Sequence, residues 1–314
     1  MEQLRFDGKV AIVTGGGRGM GRAHALSLAS RGAKVVIADR GVALDGSGSE
    51  RGPADEVVAE IKAAGGEAIA SYGSVADEAD VKAMVELTLD SFGRLDVLIN
   101  NAGINGPDLF EDYTGADFRR LNEVLYFGTV YPTQAAWSHL KKSGRGRIVN
   151  TCSEGPLGIH EMMTAYGGGK GGVIGFTLAL AAEASKYGIG VNGFSPRPAT
   201  RMSSPEVLSH VYKKPVEAFA GNMTKLTPEL ASTAAIYLSH ESCQLNGAIL
   251  VCGGGQVLRM AIMQNQGFTD PNMTVESIAS HIDQIMDMSH ATNVGVGAGG
   301  KASMPHTKEP LGAH

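Results

Sequence analysis

The chain reads as an α/β protein built on one doubly wound parallel sheet. Short apolar runs alternate with longer stretches of helical periodicity. The runs are continuous rather than alternating, as strands covered on both faces require. The strand-helix rhythm also repeats, and right-handed crossovers turn such a rhythm into a doubly wound sheet. The strand candidates are Val10 to Val13, Val35 to Ala38, Val97 to Ile99, Ile148-Val149, Ile189 to Phe194 and Ile249 to Val251. Between them, helical patterns cover Met20 to Arg31, Ala54 to Ala64, Glu78 to Phe92, Phe118 to Lys141, Thr164 to Tyr187 and Pro228 to Ser239.

Two stretches break the rhythm. Gly41 to Gly52 is a Gly/Ser-rich insertion between the second strand and its helix, expected as a surface loop. Past about residue 260 the sheet pattern ends. Thr274 can cap a helix from Val275 to Met288 with Ile278, Ile282 and Ile285 on one side. Asn293 to Gly300 is Gly-rich, and the last residues read as weakly ordered. The expected organisation is a single domain over residues 1–260 followed by a C-terminal helical extension over 261–314.

Composition narrows the function classes. Of 314 residues, 43% are hydrophobic and 19% charged, enough to bury a substantial core. A net charge of -5 offers no basic field and argues against nucleic acid as a partner. The apolar stretch Gly171 to Ala184 is too short to span a bilayer, and Met1 to Asp7 has no apolar core of the kind a signal peptide needs. Cys152, Cys243 and Cys252 show no metal spacing and fit a reducing compartment. His160-Glu161 lacks a third ligand nearby, so no metal site is expected. A cytoplasmic protein with no membrane partner follows.

The first strand candidate runs into Thr14-Gly15-Gly16-Gly17-Arg18-Gly19-Met20-Gly21 and then a helix. The spacing is T-G-x-x-x-G-x-G, with Gly15, Gly19 and Gly21 in the fixed places. Glycines here permit a tight turn and let a pyrophosphate approach free N–H groups at a helix N-terminus. Gly17, Arg18 and Met20 belong to the same expected cofactor cradle. Asp39 ends the second strand, eighteen residues after Gly21. An acid there accepts from ribose hydroxyls and repels a 2′-phosphate, which favours NAD over NADP. Arg18 and Arg40 could contact a phosphate or stand as solvated surface charges.

Tyr166 and Lys170 are at i, i+4 spacing and so share one helix face, with Ser153 thirteen residues before the tyrosine. An ammonium nearby favours the phenolate and is expected to bring the tyrosine pKa down from ~10. A serine hydroxyl could hold a reacting oxygen for proton transfer to or from that tyrosine. Gly167-Gly168-Gly169 separates the pair, and Gly171-Gly172 follows it. Each helical glycine costs roughly 1 kcal/mol against alanine. Either another group packs closely there or the catalytic turn is loose.

These motifs, with Asn100-Asn101-Ala102-Gly103 after the fourth strand, resemble the short-chain dehydrogenase/reductase family over about residues 7–257. Within it the chain is similar to the (3R)-hydroxyacyl-CoA dehydrogenase unit of peroxisomal multifunctional enzyme type 2 and its bacterial relatives. The segments that carry this are the insertion after Asp39, Ala135-Ala136-Trp137, Ser195 to Met202 and Leu238 to Ser242. The resemblance implies a seven-stranded Rossmann fold. It implies Tyr166 as general acid/base, Lys170 as the group that tunes it and binds the nicotinamide ribose, and Ser153 as the hydrogen-bond partner of the reacting oxygen. Asn101, Ala102 and Gly103 would line the adenosine side, Ser74 and Val75 would flank the adenine, and Pro196 to Thr200 would close over the nicotinamide. Asn100 and Asn101 can equally serve as strand-end turn formers. A homotetramer or dimer through the helices at 118–141 and 164–187 is implied by analogy.

Two positions depart from the family pattern. Counting 28 residues back from Ser153 lands on Leu125, where many members carry an asparagine that organises a water relay. Asn122 is the nearest substitute, or an ordinary polar residue on a helix surface. Arg197 stands where many members have the glycine of a Pro-Gly pair.

The expected activity is NAD-dependent interconversion of a secondary alcohol and a ketone on an apolar substrate, such as a 3-hydroxyacyl thioester or a hydroxysteroid. An NADPH-dependent 3-oxoacyl reductase is the alternative among enzymes, and a non-catalytic NAD sensor the alternative outside them. Val207, Leu208, Val211, Tyr212, Phe219 and Met223 could form a lid or ordinary helix packing.

Overall fold

The computed structural model describes residues 2–159, 161–197, 209, 215–218 and 226–295. The lid candidates Val207, Leu208, Val211, Tyr212, Phe219 and Met223 lie outside the described residues, as do His160 and Thr200.

Seven strands run parallel: β1 (Val10–Thr14), β2 (Lys34–Ala38), β3 (Ala68–Ser71), β4 (Val97–Asn100), β5 (Arg147–Thr151), β6 (Gly190–Pro196) and β7 (Ile249–Gly253). Their order in the sheet is β3-β2-β1-β4-β5-β6-β7, so the winding reverses between β1 and β4. Helices α1 (Gly19–Ser30), α2 (Gly52–Ala63), α3 (Glu78–Phe92), α4 (Gly115–Asn122), α5 (Gly128–Lys142), α6 (Thr164–Ala184) and α7 (Pro228–Ser239) are interleaved with them. Neighbouring strand residues feed opposite layers. Val13 and Ile37 pack with Leu28 and Ile61 on one face, while Ile12 and Val36 pack with Leu140 and Ile148 on the other. That two-sided burial is why the strands are apolar throughout.

An eighth strand, β8 (Gln256–Met260), pairs antiparallel with β7 and extends the parallel set of seven. Gly254 and Gly255 join the two with φ of 59° and 79°. Two residues with positive φ are what a tight hairpin needs, and the Gly-Gly pair supplies them.

The single helix expected over Phe118 to Lys141 is three pieces. Thr114 and Asp117 form a reciprocal capping box for α4. A π-helical turn, Glu123–Phe127, then interrupts the ladder before α5 begins. Pro132 lies inside α5 and lacks the N–H that would close on Gly128, so the pattern is weakened just after the turn. Thr164 to Tyr187 is helical to Ala184 and finishes as a 3₁₀ turn, Ser185–Tyr187.

Beyond the sheet, Thr274 caps α8 (Val275–Ser280) together with Ser277. The helix does not run on to Met288: His281 leaves the helical region at φ −112°, and α9 (Ile282–Met286) starts afresh. Ile278 and Ile282 are exposed rather than packed. A two-residue pairing of β9 (Met263–Gln264) with β10 (Thr292–Asn293) ties the segment's ends together.

Buried polar groups lock the layers. Asn100 Nδ2 donates to Thr133 Oγ1 and Asn150 Oδ1, both at 2.9 Å, and Asn150 Nδ2 donates to Thr177 Oγ1 at 3.0 Å. Arg147, at the start of β5, is fully buried and has no carboxylate within ion-pair distance among the described residues. Its guanidinium donates to the carbonyls of Gly146 (2.9 Å), His240 (3.2 Å), Glu241 (2.8 Å) and Cys243 (3.3 Å).

The glycines of α6 divide by what faces them. A Cβ on Gly169 would sit 3.2 Å from the Leu125 side chain, and one on Gly172 would sit 2.9 Å from the Tyr126 ring. Gly168 faces open space. The close approach is therefore that of side chains on the π-helical turn. Gly168→Ala is expected to stabilise the protein by about 0.5–1 kcal/mol, whereas Gly172→Ala should destabilise it by about 1–2 kcal/mol because the Tyr126 ring must move. Denaturant unfolding of the two variants measures both, and equal signs would contradict this packing.

Candidate active site

A cavity of about 590 Å³ opens at the C-terminal ends of the strands, where the winding reverses. Open α/β sheets bind ligands at this place. One side is the turn between β1 and α1. Gly15 and Gly19 have φ of 62° and 50°, and a side chain at Gly21 would collide with Gly15 O. Arg18 is the N-cap of α1 and its side chain makes no capping hydrogen bond, which leaves the first N–H groups of the helix uncapped beside Gly19 and Met20 in the cavity wall. This is an anion cradle of backbone dipoles. Gly17 and Gly21 do not themselves line the cavity. They shape it from behind, Gly17 by meeting Asp39 and Gly21 by lying under Gly15.

Asp39 stands at the cavity wall after β2. Its Oδ2 accepts from Gly17 N–H at 2.8 Å and its Oδ1 from Gly41 N–H at 2.6 Å. The carboxylate is thereby held beside the glycine turn. These donors and this acid fit a dinucleotide. Arg18 and Arg40 both border the cavity, but Arg18 Nη2 is engaged by Glu50 at 3.2 Å and its Nη1 by Val42 O at 3.3 Å. Both partners come from the Gly/Ser insertion, which is therefore more than a surface loop. Arg120 Nη1 donates to Asp45 O, Asn105 N–H to Leu44 O at 3.1 Å, and Val42 and Gly46 form part of the wall.

Ser74 and Val75, after β3, line the far side, with Ser74 N–H fixed by Asp80 at 2.8 Å. Asn101, Ala102 and Gly103 line the floor. Asn101 Nδ2 donates to Thr14 O (2.9 Å) and Gly15 O (3.1 Å), while Thr14 Oγ1 accepts from the N–H groups of Asn101 and Ala102 at 2.9 and 3.0 Å. The Asn101 amide is thus a tie for the glycine turn. Asn100 points away into the core network.

Ser153, Tyr166 and Lys170 come together at the other end, with Pro196 and Arg197 beside them. Gly155 N–H donates to Ser153 Oγ at 3.0 Å. Lys170 is buried, and its Nζ donates to Thr151 O at 2.5 Å. The expectation that Lys170 lowers the Tyr166 pKa is not met in this arrangement. Burial pushes the Tyr166 phenol up, with the Ser153 hydrogen bond opposing it only in part. Burial also pulls Lys170 down to about 8. The lysine's charge is turned onto a carbonyl, so desolvation decides both groups.

Leu125 is fully buried between Gly103 and Gly169 and offers no polar atom from its side chain. Asn122 Nδ2 donates to Phe118 O at 2.8 Å, the role of an ordinary helical residue. Met162, before α6, has φ of 63°, and its carbonyl accepts from Tyr113 Oη and Asp108 N–H, both at 3.1 Å. Sequence reasoning missed one pairing here. Arg197 Nε and Nη2 donate to Glu154 Oε2 and Oε1, each at 2.7 Å. The available signal was two opposite charges, one just after Ser153 and one just after Pro196.

Comparison with known proteins agrees with this architecture. The family model described as short chain dehydrogenase matches residues 9–207. A short-chain type dehydrogenase/reductase of Mycobacterium tuberculosis is 37% identical over 91% of this chain and 97% of its own length. Peroxisomal multifunctional enzyme type 2 of Drosophila melanogaster is 34% identical over 98% of this chain, which spans 50% of that enzyme. The structure of that full-length enzyme superposes with a TM-score of 0.73, covering 93% of this chain and 48% of that one. A 7α-hydroxysteroid dehydrogenase complexed with NADH and 7-oxo glycochenodeoxycholic acid superposes with a TM-score of 0.68 at 28% identity, covering 81% of this chain and 98% of that one. The chain belongs to the short-chain dehydrogenase/reductase family. It is an oxidoreductase acting on CH–OH groups, of a family that uses NAD or NADP. No described helix is long and apolar enough to cross a membrane.

The depressed lysine has a pH consequence. Unfolded Lys170 holds its proton to about pH 10.5, folded Lys170 only to about 8. Between those values the unfolded state binds more protons, so stability rises with pH until Tyr166, whose folded pKa is raised, reverses the slope above about 10. Denaturant titrations should show a gain of roughly 2 kcal/mol from pH 8 to 10, and Lys170→Met should flatten it. An unchanged slope in the variant would refute this assignment.

Proposed function

We propose that the chain is an NAD-dependent oxidoreductase that interconverts a secondary alcohol and a ketone on an apolar substrate, such as a 3-hydroxyacyl thioester or a hydroxysteroid. Residues 1–260 would carry the site and 261–314 extend it. The observation that carries the reading is that Ser153, Tyr166 and Lys170 share one cavity with the glycine turn and Asp39.

The hydride acceptor or donor is supplied by the nicotinamide when it is bound. The chain's own residues do the rest. In the oxidising direction Tyr166 takes the hydroxyl proton, and Ser153 holds the oxygen that becomes the carbonyl. In the reducing direction Tyr166, which burial keeps protonated, returns that proton to the oxygen. Lys170, lowered to about 8 by burial and hydrogen-bonded to Thr151 O, would bind the nicotinamide ribose. Pro196 would pack against the nicotinamide side, with Thr200 beyond the described residues. Ser74 and Val75 would flank the adenine, and Ala102 and Gly103 the adenosine.

NAD is supported over NADP by Asp39 at the ribose position and by Arg18, whose guanidinium is engaged by the insertion. Arg40 is exposed beside them. An apolar substrate is supported by Val42, Ile104, Leu125 and Met163 in the cavity wall. Three free, buried cysteines suit a reducing, cytoplasmic setting. Assembly into a dimer or tetramer is supported by the exposed Val257, Ile278 and Ile282 on β8 and the extension.

Tyr166→Phe should hold NADH as the wild type does while turnover on secondary alcohols falls ~10³-fold. Retained turnover would remove Tyr166 from the proposed role. Asp39→Ala should cut the NAD over NADP ratio of kcat/KM by ~10-fold or more, because a carboxylate no longer opposes the 2′-phosphate. An unchanged ratio would place the choice elsewhere.

A further inference from the structure

Two charged side chains meet where β5 and β6 end beside Ser153. The strands are paired there, with Thr151 opposite Phe194, so the residues that follow them are neighbours. Glu154 comes directly after Ser153, and Arg197 directly after Pro196. Their contact is two-pronged, Nε and Nη2 of the arginine on the two carboxylate oxygens at 2.7 Å each. The Glu154 side chain is only 21% exposed and that of Arg197 42%, so the pair is partly shielded from water. Arg197 is also fixed through its main chain, whose N–H donates to Cys252 O at 2.8 Å. A Cβ on Gly253 would come within 2.6 Å of the Arg197 Cβ, so the glycine is what lets the arginine lie this close.

A guanidinium at this wall, without a partner, would be a receptor for a carboxylate beside the reacting carbon, because its fork matches that geometry. Glu154 already occupies the side-on fork of Nε and Nη2 and, from behind the cavity wall that Arg197 lines, balances its charge. An incoming anion would meet a guanidinium whose charge is already balanced and a carboxylate of like sign close behind it. Neither counts against a neutral neighbour of the reacting carbon.

We propose that Glu154, by holding Arg197, determines specificity: the site admits a carbonyl or alcohol flanked by a neutral ester, thioester or ring carbon and rejects one flanked by a carboxylate. This rests on the oxidoreductase reading of the same cavity and narrows its substrate class.

The test is binding rather than turnover. The NAD-loaded protein is titrated with acetoacetate and with methyl acetoacetate, ketones that oxidised cofactor cannot turn over and that differ only in a carboxylate against an ester, followed by calorimetry. The wild type should favour the ester by ~10-fold or more, and Glu154→Gln should shift that ratio ~10-fold or more toward the acid. Glu154→Ala should move it in the same direction, which covers the case of a misfolded glutamine variant. Adding Arg197→Met to Glu154→Gln should abolish the shift. A Glu154→Gln ratio within about twofold of the wild type overturns the proposal, as does a wild type that prefers the acid. Failure of both ligands to bind any of these proteins while NAD is held also overturns it. If the oxidoreductase reading alone fails, turnover is absent but the ligand ratio is still read.

Discussion

The end of β1 and the end of β4 are tied together by one side chain in each direction. Thr14 Oγ1 accepts two N–H groups from the chain after β4, and Asn101 Nδ2 returns two bonds to the carbonyls of Thr14 and Gly15. A parallel sheet leaves its C-terminal strand ends with unpaired backbone groups, and between β1 and β4 the crossovers diverge, so no helix covers them. Those groups are satisfied by each other here. The glycine turn owes its curvature to its φ values, but its position relative to the rest of the cavity is set by this tie. Asp39, the insertion and the floor at Ala102 and Gly103 are all located against it.

The opposite end of the cavity is governed by exclusion of water. Leu125 seals the space behind the tyrosine-lysine turn, and Gly169 lets it come close. Burial then moves Tyr166 and Lys170 toward their neutral forms. Lys170, brought to about 8, can change charge close to working pH, whereas Tyr166 is held protonated. The loss of a polar residue at position 125 is thus coupled to the glycines that looked out of place in a helix. Both belong to one dry contact between α6 and the π-helical turn.

The sequence disclosed those parts of the fold where one physical demand dominates. Two-sided burial makes strands such as Val10–Thr14 and Lys34–Ala38 unmistakable, and the i, i+4 spacing of Tyr166 and Lys170 survives any detail of packing. β3, with Ala68-Ile69-Ala70-Ser71, carries too little branched apolar character to stand out. β8 is half-exposed edge, so no burial pattern marks it, although Gly254-Gly255 signals its hairpin. The π-helical turn and the Glu154–Arg197 pair depend on how distant segments meet, and local periodicity carries no record of that. Nor does spacing report dielectric surroundings, which is why the direction of the Tyr166 shift had to come from the three-dimensional arrangement.

Arg147 bears on how the molecule assembles. Its guanidinium is emptied of water and, among the described residues, is satisfied by carbonyls, one adjacent in sequence and others up to 96 residues away, at Cys243. Until β6 and the segment after α7 have arrived, a charge at the start of β5 has to stay hydrated, which holds the sheet's second half open. Closing so long a loop is an entropic barrier that local helix formation cannot bypass. The arginine therefore makes the two halves of the sheet interdependent: the start of β5 cannot be emptied of water before the segment after α7 has closed over it.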